Sequence, residues 1–123
     1  MVEKNKKVLV CDDSLLIRVQ LKEFLSNYNP SIEIIEATNG VEACHKYNES
    51  QPDMVFLDIV MPRMDGIECL KKIKESNKDA KVVILSSVGN QEMLKDALKA
   101  GALNFIQKPW DEDNIKKALE MII

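Results

Sequence analysis

Five short, largely β-branched apolar runs recur along this chain at intervals of a little over twenty residues: VLVC at 8–11, IEII at 32–35, MVFL at 54–57, VVIL at 82–85 and NFI at 104–106. Each is too short for a helix and is rich in side chains that pack on a pleated surface. Between them lie longer stretches with helical spacing, such as SLLIRVQLKEFLSNY, where Leu15, Val19, Leu25 and Tyr28 are expected to share a face. Strand and helix alternate five times, closing with EDNIKKALEMII. Parallel strands need crossovers, and crossovers are right-handed, so the pattern predicts an α/β fold: a doubly wound, five-stranded parallel sheet with five helices covering both faces. The first, third and fourth runs are almost wholly apolar, as buried central strands are, whereas IEII and NFI have polar neighbours and are expected at the edges. Turn signals mark the boundaries: NYNPS, TNG, SNKD and AGA.

A chain of 123 residues, 46% hydrophobic and 30% charged, fits one domain over 1–123. The formal charge of -3 and the scatter of Lys and Arg argue against a nucleic-acid footprint. No stretch approaches the roughly 20 apolar residues that cross a bilayer, and MVEKNKK leads into a strand without a cleavage site, so a cytoplasmic protein without membrane contact is expected. Cys11, Cys44 and Cys69 are odd in number, far apart and set in apolar patterns, which reads as reduced packing residues. His45 is the sole histidine and has no ligand-spaced partner. This argues against a zinc site or a serine or cysteine triad and places His45 on a solvated helix face.

In open sheets of this kind ligands bind beyond the carboxyl ends of the strands. Asp12 and Asp13 follow the first run, Asp58 the third, Ser86 the fourth and Lys108 the fifth. Taken singly, an Asp after a strand is ordinarily a helix cap or turn former, and Asp13 ahead of Ser14 has that reading available. Caps, however, need neither a lysine at the fifth strand nor a hydroxyl at the fourth. Gathered carboxylates repel by about 4 kcal/mol at about 4 Å for an effective dielectric of about 20, so a cation is expected among them. Oxygen ligands of this type suit Mg2+. A free Asp titrates near about 3.9, so an ionised Asp58 is a candidate nucleophile toward phosphorus without a general base, with Lys108 and the metal stabilising the transferred oxygens. The product would be an aspartyl phosphate, approached by Lys108 and the Ser86 hydroxyl.

The stretches VLVCDDSLLIR, FLDIVMPRMDGIE, ILSSVGNQEM and AGALNFIQKPW together resemble the receiver domains of two-component response regulators, and among them the single-domain chemotaxis regulators, over essentially the whole chain. The resemblance, and not the spacing of the runs, implies the flavodoxin-like strand order 2-1-3-4-5. It implies Asp58 as phosphoacceptor, Asp12 and Asp13 as Mg2+ ligands together with Asp58 and the backbone carbonyl of Val60, and Lys108 as the phosphoryl-binding amine. Ser86 stands where a hydroxyl turns toward the phosphate and Phe105 where an aromatic ring swings inward, and the bond from Lys108 to Pro109 is expected to be cis. It further implies phosphoryl donation by a histidine kinase and a monomeric, regulatory phosphoacceptor that catalyses its own phosphorylation and dephosphorylation rather than a metabolic enzyme. The output surface would run through the fourth helix, fifth strand and fifth helix, toward a flagellar motor protein, a kinase or a phosphatase.

Val60 and Val88 are apolar where polar side chains often position the hydrolytic water, and Phe105 replaces the usual Tyr, so slow loss of the phosphoryl group is expected. The simpler reading of Phe105 is a packed edge-strand ring, and Trp110 either covers the start of the last helix or belongs to a partner surface. Other readings are weaker. A haloacid dehalogenase-like phosphohydrolase places its nucleophile after the first strand in a DxD arrangement, and a flavin site needs a hydroxyl-rich first loop rather than CDDSLL. A receiver fragment of a longer regulator, with a DNA-binding or enzymatic output domain, would present the same residues.

Overall fold

The computed structural model describes residues 6–59, 65–87 and 91–121. The five expected strands form in order as β1 (Lys7–Cys11), β2 (Glu33–Ala37), β3 (Met54–Asp58), β4 (Val82–Ser86) and β5 (Asn104–Gln107). The helices between and after them are α1 (Leu15–Tyr28), α2 (Gly40–Ser50), α3 (Gly66–Ser76), α4 (Gln91–Lys99) and α5 (Glu112–Leu119). All strand pairs are parallel and the sheet order is β2-β1-β3-β4-β5, with IEII and NFI supplying the edges. β2 begins one residue later than the apolar run and extends to Ala37, because its ladder with β1 carries Glu36 opposite Val10 and Ala37 opposite Cys11.

Side chains alternate across each strand, so every strand feeds two cores. Leu9, Val55, Leu57, Val82 and Ile84 pack against Ala43, Tyr47, Leu70, Ile73 and Ala97 of α2, α3 and α4. Val8, Val10, Met54, Phe56, Val83 and Leu85 face Leu21, Leu25, Ile115 and Leu119 of α1 and α5. β3 and β4 are buried throughout, as the apolar runs require of strands covered on both faces.

The face of α1 differs from expectation. Leu21 and Leu25 are fully buried, with Phe24 and Tyr28 packed beside them, while Leu15 and Val19 are exposed. At about 100° per residue the four residues expected on one face spread over about half the helix circumference: Leu25 and Tyr28 lie on the side of the buried Leu21, and Leu15 and Val19 are turned away from it. The buried stripe is the one that faces Val8 and Phe56.

Helix starts are set by short polar side chains. Ser14 caps α1 by accepting from the Ile17 amide, Asn39 caps α2 through the Glu42 amide, and Asp65 caps α3 through the Glu68 amide at 2.9 Å. Asp65→Ala is expected to cost about 1 kcal/mol in urea unfolding. An unchanged midpoint would show that packing alone fixes the start of α3. Gly101, in the AGA turn before β5, takes φ 103°, a conformation that favours glycine.

Candidate functional site

Register brings the acids together. Cys11 pairs with Leu57 across β1 and β3, so Asp12 and Asp58 emerge one step beyond the same rung. Asp12 is held there by its amide, which donates to the Ala37 carbonyl at 3.1 Å, and by its Oδ1, which accepts from the Ser14 amide at 2.9 Å. One carboxylate oxygen from each of Asp12, Asp13 and Asp58 lies within 4.8 Å of the others. Asp12 and Asp58 are buried and Asp13 is exposed, and the helix cap beside it is Ser14, so the capping reading of Asp13 does not hold.

Lys108 completes the cluster from β5. Its amide donates to the Ser86 carbonyl at 2.7 Å, which fastens the end of β5 to the end of β4. Its ammonium then reaches Asp12 Oδ2 at 2.5 Å and Asp58 Oδ1 at 3.3 Å. The Lys108–Pro109 bond is cis, as expected. Burial, and next the charge of Asp12, push the Asp58 carboxyl up to about 6 against the opposing pull of Lys108, with Asp13 adding to the rise. One cation therefore does not neutralise this cluster, and the oxygen-only donor set fits a hard divalent ion such as Mg2+.

Ser86 is buried at the end of β4, one residue beyond Leu85, the register partner of Asp58. Phe105 is half-buried and packs on the core that α2, α3 and α4 cover. Trp110 packs at the margin of the opposite core and lines a groove with Ile17, Phe24 and Pro109. His45 is exposed beside Glu49, on the solvated face expected for it. Val60 and Val88 lie outside the described residues, as do Met61 and Met64.

Two supports had no reading in the sequence. Arg18 of α1 turns back to donate to the Asp12 carbonyl at 2.8 Å, and its Nε donates to Glu36 at 3.2 Å. Burial tends to raise the Glu36 carboxyl, but hydrogen bonds from Lys22 and Arg18 outweigh it and hold the group below its ordinary range. Gly66 is the second: its amide donates to the Ile59 carbonyl at 2.7 Å, seating α3 directly on the end of β3. The visible signals were Glu36 interrupting a strand edge and a glycine directly after the Asp65 cap.

Residues 8–120 match the response regulator receiver domain family. The chain belongs to that family. Chemotaxis protein CheY of Listeria monocytogenes is 43% identical over 114 residues, covering 93% of this chain and 95% of that protein. A chain of the CheX-CheY-BeF3-Mg2+ complex from Borrelia burgdorferi superposes with a TM-score of 0.87 at 38% identity, over 95% of this chain and 88% of that one. A protein-glutamate methylesterase/protein-glutamine glutaminase of Methanospirillum hungatei is 42% identical over 114 residues, which are 90% of this chain and 33% of that longer protein. The protein is thus a receiver domain of a two-component system, a regulatory protein, and its fold is the one these relatives share. Receiver domains bind Mg2+ at an acidic pocket, and Asp12, Asp13 and Asp58 form such a pocket here. Among the described residues no helix is long and apolar enough to cross a membrane.

Proposed function

We propose that this receiver domain takes a phosphoryl group from a histidine kinase onto Asp58 and thereby switches the binding of an output partner in chemotaxis. The observation that carries the reading is the meeting of Asp12, Asp13 and Asp58 within 4.8 Å, with Lys108 reaching in from β5, inside a chain of this family. With a carboxyl at about 6, Asp58 is mostly ionised at neutral pH and can attack phosphorus unaided. A carboxylate oxygen of Asp58 forms the new O–P bond as the phosphorus–nitrogen bond of the phosphohistidine breaks, and the imidazole leaves with the electron pair. Lys108, already in hydrogen-bonding range of both carboxylates, follows the charge as it moves from the Asp58 oxygen to the phosphoryl oxygens. Held by Asp12, Asp13, Asp58 and the Val60 carbonyl, Mg2+ would offset the carboxylate repulsion and stabilise the equatorial oxygens.

The added charge at the sheet edge gives the Ser86 hydroxyl a new acceptor, and Phe105 on the neighbouring strand is the ring whose inward movement relays the change to α4, β5 and α5. That face binds the output partner, a flagellar motor protein or a phosphatase, with the protein acting as a cytoplasmic monomer. CheY relatives at about 40% identity support the chemotaxis setting. The test is incubation with acetyl phosphate with and without Mg2+, followed by peptide mapping. Phosphate is expected on the peptide carrying Asp58, only with Mg2+, together with a change in Trp110 fluorescence. Phosphate on any other peptide, or uptake indifferent to the metal, would overturn the assignment.

A further inference from the structure

Two cysteines that take no part in the phosphoryl site meet across the contact between α2 and α3. Cys44 lies in α2, Cys69 near the start of α3, and their Sγ atoms are 3.3 Å apart although the residues are 25 apart in sequence. Neither is in a disulfide. A disulfide bond is about 2.05 Å long, so bonding asks for an approach of only roughly 1.2 Å. The two sulfurs differ in access. Cys69 is fully buried among Leu70, Ile73 and Ala43, whereas Cys44 is part-exposed and lines a groove of about 240 Å³ beside Asn48, Lys72 and Ser76.

They differ in charge as well. The hydrogen bond shared with Cys69 is the largest influence on the Cys44 thiol and lowers it, with Lys72 adding to this and burial and Glu68 opposing it. The same hydrogen bond, and burial after it, push the Cys69 thiol up. The reachable sulfur, Cys44, is the one an oxidant in the groove meets first, and the sheltered Cys69 sulfur stands 3.3 Å behind it. That is the division of labour between an oxidant-reactive thiol and a resolving thiol.

We propose that Cys44 and Cys69 form a redox-responsive pair that closes an intramolecular disulfide between α2 and α3 when a peroxide reaches the groove. The Cys44 thiolate attacks one peroxide oxygen, the O–O bond breaks and hydroxide leaves, giving a sulfenic acid. Cys69 sulfur then attacks Cys44 sulfur, the S–O bond breaks and water departs with the Cys69 proton. Two thiols and one hydrogen peroxide thus yield one disulfide and two waters, and a thiol reductant restores the pair. The bond ties α2 to the helix whose first residue, Gly66, sits on the backbone of Asp58 and Ile59. Cys11 is the internal control, since it is buried and its Sγ donates to the Asn39 carbonyl at 3.4 Å.

The test uses the full chain treated with hydrogen peroxide, then denatured and alkylated with N-ethylmaleimide. Alkylated thiols are expected to fall from the three of the reduced protein to Cys11 alone. A peptide map should join the Cys44 and Cys69 peptides within one chain, reversibly with dithiothreitol. In Cys69→Ala the sulfenic acid should persist and react with dimedone at Cys44, and Cys44→Ser should form no cross-link. Retention of all three thiols, a disulfide between two chains, oxidation of Cys44 to the sulfinic acid without cross-linking, or dimedone on Cys11 would each overturn the proposal. The wild-type map decides the matter even if a variant fails to fold.

Discussion

Asp58→Asn is expected to stabilise the metal-free protein by roughly 3 kcal/mol above pH 7 while abolishing phosphate uptake. The carboxyl rises from 3.8 to about 6 on folding, and each unit is worth about 1.4 kcal/mol. The sign follows from which form the fold prefers. Burial and the charge of Asp12 disfavour ionised Asp58 in the native state, so stability is greatest below the ordinary carboxyl value, declines as pH rises toward about 6, and is level beyond it. An amide keeps the shape and removes the charge, and Lys108 retains its 2.5 Å partner in Asp12. Urea unfolding in EDTA between about pH 4 and about pH 8 checks this, with the variant pulling ahead of wild type as pH rises. Millimolar Mg2+ is expected to narrow the gap, because a ligand at about 100 times its Kd stabilises the form that binds it by about 2.7 kcal/mol, and the wild type keeps all three carboxylates. A variant no more stable than wild type at high pH would mean that the Lys108–Asp58 contact outweighs burial and repulsion together.

The residues most legible in the sequence were those governed by strand ends. A parallel sheet places the residues at or just beyond its strand ends along one edge, so Asp12, Asp58, Ser86 and Lys108 are gathered by the order of the runs alone. The contrast between wholly apolar and half-polar runs likewise separated the central β3 and β4 from the edge strands β2 and β5. What could not be read depends on which face of one element meets another. On α1, Leu25 and Tyr28 face the core as expected, but Leu15 and Val19 are as apolar as Leu21 and are exposed, and it is the packing on Val8 and Phe56 that selects which side of the helix is covered. Arg18 and Glu36 are 18 residues apart, and only the folded chain brings them within 3.2 Å of each other. Cys44 and Cys69 are the same case: each alone reads as core filling, and their pairing exists only because α2 and α3 lie side by side.

Gly66→Ala tests the contact that holds the strand carrying Asp58, and it is expected to destabilise the protein by about 3 kcal/mol or more. On an exposed helix the same change would stabilise by up to about 1 kcal/mol, so even the sign is informative. Here a Cβ would stand 2.2 Å from the Asp58 carbonyl oxygen, 2.7 Å from Ile59 Cα and 2.9 Å from the Asp58 carbonyl carbon. Carbon and oxygen in contact normally sit at about 3.3 Å or more. All three neighbours are backbone, so no side chain can rotate to relieve the overlap. Either α3 lifts off, stretching the 2.7 Å hydrogen bond from Gly66 to Ile59, or the end of β3 moves and takes Asp58 with it. Phosphate uptake from acetyl phosphate should then fall by more than the unfolded fraction explains, since a native molecule with a displaced Asp58 no longer holds that carboxylate beside Asp12, one step beyond the Cys11–Leu57 rung. Urea midpoints read beside uptake rates separate the two effects. A stabilised variant with full uptake would show that the start of α3 can retreat freely and does not position the carboxylate.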